Sequence, residues 1–194
     1  MGGRRTETSR ESKEILVRSA TKLFAEQGFR RTSFEDIAAD SGISRGSIPW
    51  HFGNKTGLLR AVIDAMTTKV DDQLRRASGF DEGIRCMIEV ARQPDARLLI
   101  TLMAEAVEPG SPVHDFYATL QANLRKWMGT WTASIAIPDG VSREDINAIL
   151  VGTFIGLHQQ WRISPDVVDL ERGLLALGSI ASAIASSVDL KSSG

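Results

Sequence analysis

Apolar positions recur at intervals of three and four along nearly the whole chain and do not alternate as they would in a half-buried strand. Over residues 8–27, Leu16, Ala20, Leu23 and Phe24 share one face. Thr8 with Glu11 forms a capping box, Gly28 stops the helix, and Phe29 is placed to fold back on its last turn. A shorter segment begins after Thr32-Ser33, and either hydroxyl can cap it because Glu35 or Asp36 lies three residues on. Gly42, four residues past Ala38, can adopt the left-handed conformation that ends one helix and redirects the chain. Ile43 then turns inward, Ser44 offers a fresh cap, and a stubby helix is expected from Arg45 with Ile48 as its inward anchor. After Gly53-Asn54, a long helical run starts at Lys55 or Thr56 and continues to about Ala77.

The same periodicity predicts further helices near 81–92, 95–107, 113–136, 143–163 and 167–188, with Pro94, Pro109, Pro112, Pro138 and Pro165 at the joints. The expected fold is all-α: a three-helix unit of helix-turn-helix type over 8–54, then a larger helical domain over 55–190. Residues 1–7 and 190–194 read as unstructured ends.

Two short helices joined by a glycine turn, with hydroxyl, basic and aromatic groups outward, present a helix to a DNA groove. An ordinary pair of core helices has no need for both caps, the turn and the polar face together. Ser44, Arg45, Gly46 and Ser47 open the recognition helix. An arginine there can fork onto guanine, and the missing side chain of Gly46 permits close approach. Thr32, Ser33, His51 and Lys55 are better placed for phosphates.

From Leu16 to Val62 the chain resembles the N-terminal domain of the TetR family of transcriptional repressors. The matching pieces are Leu23-Phe24, Gly28-Phe29, Thr32-Ser33, Ile37-Ala38, Gly42-Ile43-Ser44, Gly46-Ser47-Ile48, His51-Phe52, Lys55 and Leu58-Leu59. The resemblance implies a homodimer that binds a near-palindromic operator in double-stranded DNA and is released by a small effector. It also implies that the last two helices make the dimer, and that effector binding changes the separation of the two recognition helices through the helix from Lys55. One departure stands out: Pro49 occupies the place of the family's usual tyrosine, which touches a phosphate. It removes a phenol and a backbone donor, so a short or distorted recognition helix is expected, with Trp50 and His51 taking over backbone positioning.

Charge agrees with this division. Residues 1–60 hold 11 Lys/Arg against 7 Asp/Glu, a net of +4, and residues 61–194 hold 12 against 17, a net of −5. A basic end on an acidic body suits a protein that meets nucleic acid at one end. A single cysteine, Cys86, excludes an internal disulfide framework and suits a cytoplasmic setting. The polar start reads as no signal peptide, and the longest uncharged run, Gly173 to Val188, is too short to span a membrane.

In the regulatory body, Met87, Met103, Phe116, Trp127, Trp131, Phe154 and His158 are candidates for an apolar or aromatic effector pocket, although the same stripe suits a packed interior. Gly152 and Gly156 lie four apart on one helix face, and Gly178, Ala181 and Ala185 follow in the last helix. Such small residues let backbones approach, either within the chain or in a four-helix bundle with a second copy. No metal-ligand spacing, nucleophile elbow, dinucleotide loop or phosphate loop is present, so no cofactor or metal is expected. The alternative to a DNA-binding regulator is a helical enzyme or adaptor without sequence-specific DNA binding.

Overall fold

The computed structural model describes residues 3–192, less the side chains of residues 3–8, 104, 185 and 187–192. Among the described residues all regular structure is helical: α1 (Gly3–Gln27), α2 (Phe34–Ser41), α3 (Ser47–Phe52), α4 (Lys55–Leu74), α5 (Phe80–Arg92), α6 (Ala96–Ala106), α7 (His114–Trp131), α8 (Arg143–Ile163) and α9 (Leu170–Ser192). The all-α expectation holds. Both outer helices extend further than the periodicity suggested: α1 begins five residues before Thr8, so the chain is already helical at the position expected to cap it.

The chain packs as two compact units, one comprising residues up to 69 with 94–116, the other 70–93 with everything from 117 on. In the first, Leu16, Ala20, Leu23 and Phe24 of α1 are buried with Ile37 of α2, Ile48 of α3 and Leu58, Leu59 and Val62 of α4. Each short helix therefore contributes one deeply buried isoleucine, which leaves its remaining faces for solvent or a partner. Leu98 and Leu102 of α6 are buried in the same unit, where α6 packs on α1.

The second unit is built around α5, whose Ile84, Met87 and Ile88 are buried, and around Leu124, Met128 and Trp131 of α7. Helix α9 packs on α5 and α8. Helix α7 stops at Trp131, short of the expected 136. The chain tightens there, with Ala133 N–H bonded to Thr130 O and Ile135 N–H to Thr132 O, and the Arg143 guanidinium takes up the carbonyls of Thr132 and Ile135. The first residue of α8 thus ties down the turn that follows α7. Helix α9 begins three residues late because Asp169 caps it, accepting from Arg172 N–H at 3.1 Å.

Candidate DNA-binding surface

Helix α2 is fixed at both ends. The Ser33 hydroxyl accepts from Asp36 N–H at 3.1 Å, and the Asp36 carboxylate accepts from Ser33 N–H at 2.7 Å, closing a capping box. These hydrogen bonds hold the Asp36 carboxyl below its ordinary range. At the other end Gly42 adopts φ 70°, and its N–H donates to Ala38 O at 3.0 Å. Asp40 ties α2 to α1 by accepting from Ser19 Oγ at 2.7 Å and Lys22 Nζ at 2.6 Å.

Thr32 takes a different role from the one expected. It is buried, and its hydroxyl donates to Gly28 O at 3.0 Å and Leu23 O at 3.3 Å. Those bonds hold the turn between α1 and α2, and the side chain does not face a phosphate. Ser33 is half-buried beside it and serves as the cap.

Helix α3 starts two residues later than expected, at Ser47, with Arg45 and Gly46 in the preceding turn and no side-chain cap. The Ser44 hydroxyl instead shares a 2.8 Å hydrogen bond with that of Ser47, while Ser47 N–H donates to Ser44 O at 3.0 Å. This start changes the meaning of Pro49. It is the third residue of the helix, inside the first turn, where backbone N–H groups have no intrahelical acceptor. The expected cost of a misplaced proline therefore does not arise, although α3 is short, at six residues. Gly53, at φ 74°, ends it with its N–H on Pro49 O.

Ser44, Arg45, Gly46 and Trp50 are exposed, with Trp50 retaining 72% of its accessible surface, and Ser47 and His51 are half-exposed. Trp50 and His51 meet edge to face, ring centres 4.5 Å apart. Burial and then the nearby Lys13 charge lower the His51 pKa, so the ring favours its neutral form. Lys55 is half-buried, its Nζ donating to Arg30 O at 3.2 Å and lying 4.7 Å from the centre of the Phe29 ring. Desolvation lowers its pKa, and one of its three donors is taken by Arg30 O.

Three residues overlooked in the sequence complete the surface. Asn54 caps α4 by accepting from Gly57 N–H at 2.9 Å. A Cβ at Gly57 would overlap the Phe52 carbonyl oxygen, so only glycine lets α4 begin this close to the end of α3. Glu35 pairs with Arg45, its Oε1 2.8 Å from Nε. The Asn-Lys-Thr-Gly run was a readable cap signal for the first two. The Glu35–Arg45 pair spans a turn whose shape had to be known first.

Comparison with known proteins bears on this surface directly. Residues 16–62, which contain α2, α3 and the turn between them, match the family described as bacterial regulatory proteins, tetR family. This segment is of TetR type. It is 37% identical over 82 residues to the transcriptional regulator TtgR of Pseudomonas putida, a match covering 42% of this chain and 39% of TtgR. It is 26% identical over 185 residues to the probable regulator ArpR of Pseudomonas putida, covering 86% and 88%. The SmeT–triclosan complex, SmeT being the repressor of the Stenotrophomonas maltophilia multidrug efflux pump SmeDEF, superposes with a TM-score of 0.70 at 21% identity over 91% of this chain and 90% of that one. These similarities place the TetR-type fold over nearly the full length, and the curated relatives are transcriptional regulators.

The remaining candidates divide between the two units. Met103 and Phe116 belong to the first, and Met87, Trp127, Trp131, Phe154 and His158 to the second. Met87, Trp131, Phe154 and His158 are buried; Trp127 is half-buried and donates from Nε1 to Asp71 at 2.8 Å. Trp131 Nε1 is buried with no hydrogen-bond partner among the described residues. His158 accepts at Nε2 from Arg162 Nε at 3.2 Å, and burial, with the Arg162 charge second, lowers its pKa to about 4. A groove of about 440 Å³ in the first unit, lined by Phe29, Arg31, Thr101, Leu102 and Glu105 among others, includes none of these seven.

The small residues also sort. Gly152 is exposed and Gly156 half-exposed, and a Cβ at either would meet nothing within 4 Å. They line one stripe of α8 with the exposed Ile149 and Ile163, at spacings of three and seven. Gly178 departs from the expectation: it is buried against Phe80 inside the chain, so it serves internal packing. Ala181 is half-buried, and the Ala185 side chain lies outside the described residues. Helix α9 exposes Leu175, Ile180 and Ile184 instead. Cys86 is half-buried, and burial raises its thiol pKa, which disfavours the reactive thiolate. Among the described residues no helix is long and apolar enough to cross a membrane.

Proposed function

We propose that this chain is a cytoplasmic TetR-type repressor that acts as a homodimer on a near-palindromic operator and is released by a small apolar or aromatic effector. The observation that carries the reading is the surface from Ser44 to His51. A rigidly capped α2 and a turn present an exposed arginine, two hydroxyls and an exposed tryptophan on a helix anchored by one buried isoleucine. Arg45 reads a base edge, Ser47 and Gly46 allow close approach, and Ser33, Trp50, His51 and Lys55 bind phosphates. Residues 8–54, joined by Lys55, carry these contacts, and residues 55–190 carry the effector and the second copy.

Dimerisation supplies what one six-residue helix lacks, because two copies on a two-fold axis read twice as many bases. The stripe of Ile149, Gly152, Gly156 and Ile163 on α8, with Ile180 and Ile184 of α9, supports that interface. For the effector, the unpartnered Trp131 Nε1 favours a flat molecule carrying one hydrogen-bond acceptor, and triclosan, bound by SmeT, fits that description as a first probe. Nothing in the reading requires catalysis. Footprinting on DNA flanking the chain's own gene tests it. Two protected half-sites one or more helical turns apart, lost on adding an effector, are expected. Uniform cleavage at every protein concentration overturns the reading.

A further inference from the structure

Arg45, the residue assigned to a base edge, stands outside the helices, in the turn between α2 and α3. Its backbone alone therefore fixes its long side chain poorly. Its charged partner is Glu35, Nε to Oε1 at 2.8 Å, an ion pair with both side chains well exposed. Such an exposed pair adds little to folding stability. Glu35 is nonetheless a stiff anchor. It sits in the first turn of α2, between the Ser33–Asp36 capping box and the buried Ile37, on a helix held to α1 through Asp40. Asp36, not Glu35, serves the capping box, which leaves the Glu35 carboxylate for Arg45.

The geometry points to Glu35 as a specificity-determining positioning residue, an inference that rests on the DNA-binding reading of this surface. A guanidinium held at Nε keeps its two terminal nitrogens as a fork, the shape that matches O6 and N7 of guanine. Beside it, a fixed carboxylate repels the phosphate-rich face of any duplex on which Arg45 finds no guanine. Glu35 thus sharpens recognition in two ways: it orients the attractive group and penalises the wrong partner. Without Glu35, Arg45 becomes a free cation that settles on whichever phosphate is near.

The test is selection of bound duplexes from a randomised library by the full chain and by its Glu35→Ala, Glu35→Gln, Arg45→Ala and double variants. Affinity for a non-selected duplex and thermal melting are measured alongside. The wild type should select a symmetric site. Glu35→Ala should bind the non-selected duplex about 3–10-fold more tightly and lose preference at one symmetric position per half-site, the same position that Arg45→Ala loses. Its melting temperature should stay unchanged. Glu35→Gln, which keeps an acceptor but no charge, should retain more of that preference, and in the Arg45→Ala background Glu35→Ala should change no position further. An unchanged base profile in Glu35→Ala, or an even shift at every position, overturns the inference while the regulator stands. A wild-type chain that selects no site overturns both.

Discussion

Gly152 and Gly156 occupy the interior of α8, where each costs about 1 kcal/mol in helix propensity relative to alanine. Neither is needed within the chain, since a Cβ at either meets no heavy atom within 4 Å. The double variant Gly152→Ala/Gly156→Ala should therefore stabilise an isolated chain by about 1–2 kcal/mol. For a chain of this length that raises the melting temperature by roughly 2–8 °C. In a two-fold dimer packed along this stripe the outcome reverses, because symmetry places four new methyl groups in the contact. At the low end of overpacking costs, about 1 kcal/mol each, the interface loses about 4 kcal/mol, and the dimer dissociation constant rises roughly a thousandfold. Sedimentation equilibrium with melting curves over a hundredfold range of protein concentration separates the two. The account expects a weakened dimer whose melting temperature falls on dilution. A variant that dimerises like the wild type and melts higher at every concentration would refute the assignment of α8 to the interface.

Other outcomes follow from single positions. Gly57→Ala should disrupt the start of α4, at a cost of about 1–3 kcal/mol, because the new methyl overlaps the Phe52 carbonyl; loss of duplex binding together with a lower melting temperature checks this, and an unaffected variant contradicts it. His158, neutral in the folded chain down to about pH 4 but with an ordinary value of 6.5 when unfolded, binds its proton only in the unfolded state between those values. Stability should thus fall as pH drops through that window, by about 3 kcal/mol at most, and urea titrations of His158→Gln should show a flatter pH dependence than the wild type. Lys55→Ala should weaken binding to all duplexes together and reduce the slope of affinity against salt by about one ion, and a changed base preference would contradict its assignment to a phosphate.

Much of this was legible in the sequence because short-range chemistry sets it. The Ser33–Asp36 spacing, the Gly42 stop and the Ile48 anchor are local features, and all appear as expected. What stayed hidden depended on neighbours distant in sequence. Thr32 and Ser33 look equivalent as caps, and only the packing of Thr32 onto the end of α1 separates the buried hydroxyl from the capping one. Ser44 looked like a cap for α3, but its hydroxyl pairs with Ser47, and the later start absorbs Pro49 into the first turn. The early end of α7 depends on Arg143, the first residue of α8. Gly152 and Gly178 carry the same local signal, and burial against Phe80 alone tells them apart.

The central claim is that the turn and stub of helix from Ser44 to His51 read duplex DNA. Fluorescence anisotropy with a selected duplex and a shuffled one of equal length, from 50 to 200 mM salt, tests it most directly. The account predicts binding to the selected duplex at least about a thousandfold tighter, steeply weakened by salt, with that preference sharply reduced in Arg45→Ala. Equal affinity for both duplexes, or a preference left unchanged by the loss of Arg45, would contradict it.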